Sequence, residues 1–177
     1  MIRLPLLAAG SLLLAACATR TAGVEQRLIL PEGGKRYEMA DSQAFVFPMA
    51  QGNPPPGFPD DFGARELPPT TLCAKFVVAP DGAVRDAAML DDPGCIDPAS
   101  EPKLASAVLL AVSGWRFEPA VFCNYPDAAT RDRDWTGRGC AGDTVEALPV
   151  AVTLAYAFTF EVRNGRRQVG AARVGGR

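Results

Sequence analysis

The sequence predicts an α+β domain: a small antiparallel sheet with one helix packed on it, in the order strand, strand, helix, strand. Two observations predict this class. A Pro-Asp-Gly turn joins two stretches that are rich in strand-forming residues. After them, apolar residues recur first at helical spacing and then at strict period two. A strand-rich and Pro-rich extension precedes this ββαβ core.

The first predicted element is a hairpin over residues 71–90. Residues 71–78 and 83–90 form its two strands, and Ala79-Pro-Asp-Gly82 forms the turn between them. Proline presets φ at one turn position, and glycine accepts a positive φ at another. The two strands are therefore expected to pair in antiparallel fashion.

A helix is predicted next. Ser100 offers an N-cap, Pro102 fits a first helical turn, and Gly114 lies near the end of the pattern. Trp115, Phe117 and Pro119 follow at the junction with an extended segment, where such residues usually fill a core. The helical spacing is carried by five apolar residues: Leu104, Val108, Ala111, Val112 and Trp115.

The last predicted strand is the most regular feature of the sequence. Every even position from Leu148 to Val162 is apolar, so one face is expected to lie in a core. Such a strand would run roughly 50 Å, which suggests that part of it extends past its neighbours. Asn164-Gly165 ends the pattern, and residues 164–177, basic and without an acid, are expected to form a flexible tail.

The N-terminus predicts export and lipid attachment. Residues 1–16 have one arginine and an apolar stretch that ends in small residues, as in a signal peptide. Leu14-Ala15-Ala16-Cys17 is similar to a bacterial lipobox, which implies cleavage before an acylated Cys17 and a lipidated tether over 17–26. A plain signal peptide with an incidental cysteine is the alternative. Ala18 weakly favours outer-membrane over inner-membrane sorting, with the domain facing the periplasm.

Residues 27–54 are predicted to hold short strands and the start of a Pro-rich extension. A hairpin over 27–39 and a short strand over 44–48 are expected. Residues 48–69 contain seven prolines and should be extended and stiff. Phe58 and Phe62 are apolar side chains by which this segment can dock on the following domain.

Composition limits the function classes. The chain has 177 residues, enough for one domain, and a formal net charge of −2, which implies no nucleic-acid partner. It contains no histidine, so His-based triads and His metal ligands are excluded. There is no Gly-x-Ser-x-Gly and no phosphate loop, and the adjacent acids do not make a catalytic pair. The sequence therefore predicts a non-enzymatic protein without a resident cofactor.

Four cysteines remain once Cys17 is assigned to lipid: Cys73, Cys95, Cys123 and Cys140. An even number in an exported domain predicts two disulfides, for which three connectivities exist. Local pairing favours Cys73–Cys95, because the hairpin places Cys73 opposite about residue 90, and Cys123–Cys140. A zinc site built from four thiolates is the rival, but no Cys-x-x-Cys knuckle is present.

One stretch fits a calcium-binding loop. Counting from Asp132, hard oxygen ligands fall at positions one, three, five and twelve, with Gly137 at six. The ligands would be Asp132, Asp134, Thr136 and Asp143. Arg133 and Arg138 oppose cation binding, and a solvated loop of mixed charge is the alternative.

Taken in order, these elements resemble the C-terminal domain of TonB. The matching pieces are Lys75–Val84, Leu104–Val112, Trp115–Ala120 and Leu148–Phe158, with Pro56-Gly-Phe-Pro59 upstream. The resemblance covers a domain at 55–163, with an insertion at 122–147 that is expected to be a loop. It implies an α+β fold and binding of an extended segment from an outer-membrane transporter to a sheet edge by β-augmentation.

The resemblance gives the leading functional hypothesis: a membrane-anchored periplasmic lipoprotein that is accessory to outer-membrane transport. A spanning N-terminal helix, typical of energy-transducing members, is replaced by the lipobox. The runner-up is a structural envelope lipoprotein that self-associates as a homodimer or contacts the cell wall. The predicted binding edge is the start of the last strand: Val150, Ala151, Val152, Thr153, Leu154, Ala155, Tyr156 and Ala157.

Overall fold

The computed structural model describes residues 27–28 and 38–175. Their architecture is α+β, with mostly antiparallel strands in three sheets and two helices. The predicted signal peptide, Cys17, the tether and most of the predicted 27–39 hairpin lie outside these residues. The strands are β1 Arg27–Leu28, β2 Gln43–Val46, β3 Met49–Ala50, β4 Leu67–Val78, β5 Val84–Met89, β6 Phe117–Glu118, β7 Ala120–Asn124, β8 Glu146–Val150, β9 Val152–Arg163 and β10 Arg166–Gly175. The helices are α1 Pro102–Ser113 and α2 Ala128–Asp134.

The main sheet has the strand order β1-β10-β9-β4-β5. All neighbours are antiparallel except the short β1–β10 pair. The predicted core of two strands, a helix and a strand is confirmed as β4, β5, α1 and β9. Leu72 lies opposite Phe158, and Phe76 lies opposite Leu154, so these apolar side chains share one face of the sheet.

Helix α1 packs on the β4 and β5 half of that face. Leu104, Val108 and Val112 are completely buried at the predicted helical spacing. The helix starts later than the sequence suggested: Glu101 is its N-cap, and Ser100 ends a short 3-10 turn that begins at Pro98. The Ser100 hydroxyl donates to the Asp97 carbonyl and is therefore not the cap of α1.

The Pro-rich segment covers the β9 and β10 half of the same face, as expected for docking. Phe58 packs edge-on against Phe160 with ring centroids 5.2 Å apart. Phe62 and Pro56 are buried. Trp115, 4% exposed, closes the core between the helix and this segment, and its Nε1 donates to the Pro54 carbonyl at 2.8 Å. The structural role predicted for Trp115 is confirmed.

The Pro-Asp-Gly turn also makes a tertiary contact. Gly82 has φ +76°, and its carbonyl accepts a hydrogen bond from the Phe117 N–H at 3.0 Å. A Cβ at this position would lie 2.1 Å from the Phe117 carbonyl oxygen. Glycine is therefore required here both by φ and by the close approach of another chain segment.

The predicted loop insertion at 122–147 is wrong in part, because it contains regular structure. β7 runs to Asn124, α2 follows, and β8 starts at Glu146. These strands form a second sheet with the order β2-β7-β8. Asp127 caps α2 by accepting the Thr130 N–H at 2.8 Å. β2 confirms the short strand predicted near residues 44–48.

The long alternating strand is interrupted at Ala151. Residues before it form β8 in the second sheet, and residues after it form β9 in the main sheet. The even-numbered side chains of β9 face the core, with Leu154, Phe158, Phe160 and Val162 buried. Leu148 in β8 is 45% exposed. A continuous strand past Ala151 is thus a wrong prediction, although the inward face of β9 is correct.

Candidate sheet-edge site

The predicted binding edge lies partly inside the main sheet. Within the predicted stretch, Val150 belongs to β8, and the residues from Val152 onward belong to β9, which has β4 on one side and β10 on the other. Ala155 and Ala157, for example, pair with Lys75 and Cys73 of β4 and also with β10. The backbone groups of residues 155–157 are engaged in ladders on both sides, so these residues cannot accept a further strand. The prediction is wrong for them, whereas residues 152–154 pair only with β4 among the described strands, and Val150 lies in the outermost strand of the second sheet.

The neighbour that fills this position is β10, formed by the segment predicted to be a flexible tail. Asn164 and Gly165 both have positive φ, +51° and +73°, and make a two-residue hairpin turn. β10 then pairs with β9 from Arg166 opposite Arg163 to Val174 opposite Ala155. The tail prediction is wrong for residues 166–175 because the turn reverses the chain onto β9.

β10 therefore carries the outer edge of the main sheet. On its outer side, β1 pairs only with Val174 and Gly175, and no other described strand pairs between Arg166 and Arg173. A two-residue turn makes its flanking residues a hydrogen-bonded pair, and alternate residues point their backbone groups outward. The outward N–H and C=O groups are thus those of Arg167, Val169, Ala171 and Arg173.

This edge is basic. β10 contains Arg166, Arg167 and Arg173 and no acidic residue. Arg167 donates to the Phe62 carbonyl at 2.6 Å, and its Cζ lies 5.7 Å from the centroid of the Phe58 ring. Arg173 stacks over Phe47 at 5.5 Å. Aromatic and backbone contacts therefore hold two guanidinium groups at the edge, where they favour an anionic partner.

The first disulfide lies on the face of the main sheet opposite α1. Cys73 and Cys95 are bonded, with Cα atoms 5.8 Å apart. The Leu90 N–H donates to the Cys73 carbonyl at 2.8 Å, which confirms the predicted position of Cys73 opposite about residue 90. Cys73 and Ala155 are buried in a small cluster on the face opposite α1.

The second disulfide joins Cys123 and Cys140, with Cα atoms 5.2 Å apart. Both predicted disulfide pairings are confirmed. The zinc alternative is wrong because the four sulfur atoms form two disulfide bonds. Structural disulfides form and persist in oxidising compartments. The two disulfides indicate an extracytoplasmic protein. In the described part of the chain, no helix is long and apolar enough to span a bilayer.

The predicted calcium ligands are not arranged as a cation site. Asp132 and Asp134 lie on α2, and Arg131 pairs with Asp132 at 2.7 Å. Arg133 bridges Asp134 and Asp143 at 2.7 Å to each. Across residues 27–28 and 38–175, no group of three or more carboxylates or cysteines is placed to hold a metal. The predicted loop with Asp132, Asp134, Thr136 and Asp143 as ligands is therefore wrong.

Arg133 instead supplies the positive charge that joins these acids. Its hydrogen bond to Asp134 lowers the pKa of that carboxyl, and the Asp143 N–H, which donates to Asp134 at 2.8 Å, lowers it further. The Asp127 carboxyl also has a lowered pKa, chiefly because it accepts the Thr130 N–H. These contacts fasten α2 to the loop that follows it.

Two of the cavities among the described residues lie between segments that are distant in sequence. The larger, about 660 Å³, lies between α1 and the segment around Phe58, with Leu110 on its wall. Lys103 and Asp61 form an ion pair at 2.5 Å beside it, and Lys103 lowers the pKa of the Asp61 carboxyl. The smaller, about 350 Å³, lies between β9, β10 and residues 50–55. Neither cavity could be predicted from the sequence, because the walls of each join distant segments.

Comparison of the chain with protein-family models and with curated proteins gives no match. The similarity to the TonB C-terminal domain therefore stays a prediction from motif order.

Proposed function

We propose that this chain is a lipid-anchored, periplasm-facing envelope protein that binds an extended segment of an outer-membrane transporter or of another envelope protein. Cys17 would carry the lipid, and the domain would act by recognition rather than by catalysis. The observation that carries the proposal is the outer edge of β10, whose backbone groups no described strand pairs between Arg166 and Arg173.

The proposed binding mode is β-augmentation. An extended segment that adds to β10 would form backbone hydrogen bonds with the outward groups of Arg167, Val169, Ala171 and Arg173. An unpaired edge of this length is prone to uncontrolled pairing unless a partner covers it or its charges protect it. In the unbound protein, the charges of the arginines protect the edge from uncontrolled pairing. The same charges select a partner of opposite charge.

Charge complementarity favours an acidic segment. β10 offers three arginines and no carboxylate, and opposite charges on neighbouring strands stabilise a sheet, whereas like charges destabilise it. Two copies of this chain that paired β10 with β10 in antiparallel fashion would bring Arg166 near Arg173 of the other copy. The edge therefore fits an acidic partner better than a homodimer.

The test is site-specific photocrosslinking in the intact cell envelope. Gln168 and Gly170 are exposed positions on β10 for the photoreactive residue. A Cβ at Gly170 meets no atom within 4 Å, so the first atom of a side chain fits there. The control position is Arg85, which is exposed on β5 at the opposite edge of the sheet.

The proposal expects both β10 positions, but not Arg85, to capture an acidic, extended segment of a transporter or other envelope protein, identified as a crosslinked peptide by mass spectrometry. Ala171→Pro removes an outward N–H but no β9 hydrogen bond, so it should abolish capture while the protein stays folded. Capture of only a second copy would contradict the proposal and support the structural lipoprotein. Absence of any adduct would also contradict it.

A further inference from the structure

Apolar side chains are exposed on one face of the second sheet and on the adjoining strand β3. Phe47 and Met49 are each 57% exposed, whereas Pro48 between them is buried. Because they lie two residues apart in an extended segment, the two exposed side chains point to the same side. Leu148 of β8 is 45% exposed. Together with the half-buried Phe45, these three residues are called the apolar patch below.

Ring contacts and strand register join the members of the apolar patch. The Phe45 ring centroid lies 4.9 Å from that of Phe47, in an edge-on arrangement, and 5.0 Å from that of Phe122. Phe122 pairs with Phe45 of β2 on one side and with Leu148 of β8 on the other. Residues that lie opposite each other in neighbouring strands share a face. The apolar patch therefore extends from β3 across all three strands of the second sheet.

The core of the second sheet lies on its other face. Successive side chains of a strand point to opposite faces, so Ala44 of β2 and Cys123 of β7 face away from the apolar patch, and both are buried. Trp135 and Cys140, from the end of α2 and the loop after it, pack against them. The apolar patch thus lies on the face that α2 and this loop leave uncovered. Contiguous exposed apolar side chains of this kind mark an interaction surface.

Charges of both signs border the apolar patch. The Arg173 guanidinium lies over the Phe47 ring, with its Cζ 5.5 Å from the ring centroid. Glu118 of β6 pairs with Met49, and Glu146 lies at the start of β8. Because both signs are present, neither an anionic nor a cationic partner is favoured, and apolar contact would hold the partner.

The chain enters the described structure beside this patch. β1 begins at Arg27, which pairs with Val174 of β10, and the residue before Val174 is Arg173, whose guanidinium contacts the Phe47 ring. In the proposed function, Cys17 is held in a bilayer. The stretch from Cys17 to Arg27 spans at most about 35 Å. That bilayer is therefore within reach of the apolar patch, and the tether keeps the two at a high effective concentration.

We propose, on the basis of the lipid anchor in the proposed function, that the apolar patch docks on the bilayer that holds Cys17. Phe47, Met49 and Leu148 contact the boundary between headgroups and acyl chains, where the apolar faces of peripheral proteins are buried. The lipid on Cys17 supplies one attachment and the apolar patch a second, so the domain has a fixed orientation on the membrane.

Docking of this kind leaves most of the edge of β10 accessible. Arg173 lies at the end of β10 that contacts Phe47. Arg166 begins the strand seven residues earlier, roughly 23 Å away along its length. Strand addition and membrane docking therefore use separate surfaces, and each can be tested alone.

The test is methyl NMR of the full lipidated chain in nanodiscs of phosphatidylethanolamine and phosphatidylglycerol, with ¹³C-methyl methionine and a nitroxide on the lipid acyl chains. Mass spectrometry first establishes whether Cys17 is acylated. The nitroxide is expected to remove most of the Met49 signal and to spare that of Met89, which lies on β5 at the opposite edge of the main sheet. Equal effects on the two methyl groups, or no effect on Met49, would overturn the proposal.

Matched variants of two exposed apolar residues locate the contact. Phe47→Ser removes an exposed ring from the apolar patch and should restore the Met49 signal, because burial of apolar area drives docking. Leu110→Ser is the control, since Leu110 is 79% exposed on α1 and lies outside the patch; it should leave the loss of the Met49 signal unchanged. A Met49 signal that stays broadened in Phe47→Ser, or that Leu110→Ser restores equally, contradicts the proposed surface.

A photoreactive residue at Met49 in the intact cell envelope distinguishes a bilayer from a protein partner. Adducts with phospholipid support docking on the membrane, and adducts with protein alone contradict it. The mass of the mature chain separates the two proposals. A Cys17 without an acyl chain contradicts both the lipid anchor and the docking, whereas an acylated chain whose Met49 methyl is unaffected by the nitroxide overturns the docking alone.

Discussion

The main sheet and the second sheet each contain one disulfide, but they differ in what surrounds it. The cluster between the main sheet, α1 and the Pro-rich segment contains fifteen buried residues, with Phe76, Phe158 and Phe160 among the largest. The cluster beneath the second sheet contains three, Ala44, Cys123 and Tyr125, and Ala120 and Phe122 of β7 are also buried. Burial stabilises a core roughly in proportion to apolar area, so the two sheets cannot be stabilised in the same way.

The difference shows what a disulfide does in each setting. In the main sheet, Cys73–Cys95 adds a crosslink to a hairpin that a large core already holds. In the second sheet, a few buried residues must offset the entropy of ordering β7, α2 and β8, and small units of this kind usually need a covalent crosslink. Cys123–Cys140 supplies that crosslink.

The largest expected effect comes from truncating the main core. Phe158→Ala removes a completely buried ring from β9 and should lower the free energy of unfolding by about 3–5 kcal/mol. Leu148→Ala, at an even position of the same sequence pattern but 45% exposed in β8, should lower it by less than about 1 kcal/mol. Urea unfolding measures both, and equal losses would contradict the division of the pattern at Ala151.

Removal of each disulfide should affect the two sheets differently. Cys123→Ala with Cys140→Ala loses about 3 kcal/mol in the chain-entropy model, and native-state hydrogen exchange should accelerate in β7, α2 and β8 alone. Cys73→Ala with Cys95→Ala should accelerate exchange throughout the main sheet. Acceleration of the Phe158 and Phe160 amides by the first pair would show that the second sheet is not an independent unit.

A smaller effect should distinguish two turns, the tight turn at Gly82 in the interior and the open turn at Gly165 at the sheet edge. Gly82→Ala meets both a positive φ and the Phe117 carbonyl oxygen, so it should cost about 2–3 kcal/mol. Gly165→Ala has a similar φ, +73°, but no atom within 4 Å, and should cost about 1 kcal/mol. Thermal unfolding of the two variants gives the comparison, and a larger loss for Gly165→Ala would refute it.

The smallest effect is a pH dependence of the second sheet. The Asp127 and Asp134 carboxyls have pKa values below the ordinary 3.8, so their contribution to stability is complete above that pH and is lost as the pH falls through the lowered values. Hydrogen exchange in α2 should therefore rise below about pH 4, before that of β9. Arg133→Gln should raise the pKa of Asp134, as NMR titration would show, and weaken this dependence.

Local signals account for what the sequence predicted well. Pro80, Asp81 and Gly82 define the first hairpin, and the hairpin places Cys73 opposite Leu90 and near Cys95. Helical spacing identified α1 because its inward face, with Leu104 and Val112, packs on a sheet. These features depend on neighbours within about one turn or one hairpin, so they can be predicted from the sequence alone.

The sequence of strand β10 carries a hairpin signal where the apolar alternation of β9 ends. Asn164-Gly165 is a strong two-residue hairpin sequence, and Val169 and Ala171 alternate with Gln168 and Gly170. Arginine and glycine dilute the apolar pattern, so that pattern alone predicts a tail. Without β10, residues 155–157 of β9 would form the edge that β10 covers.

Two other features had no local signal. The alternation of apolar residues continues through Ala151, so periodicity cannot show that the chain changes sheets there. Helix α2 has charged residues on most of its surface and no buried residue, and therefore no apolar stripe. The cavity beside Asn53 joins that residue to Arg116 and to β10, and only tertiary structure brings these segments together.

The pairing of β4 with β9 has a consequence for the folding rate. The side chains of Thr71 and Thr159 meet across 88 residues of chain, whereas β9 and β10 meet across a two-residue turn. Hairpins close within about 1–10 μs, but distant pairings wait for a long loop to close. Both disulfides lie within that loop, so each one shortens the path between β4 and β9. A disulfide that forms before β4 and β9 pair therefore lowers the loop-closure entropy of that pairing.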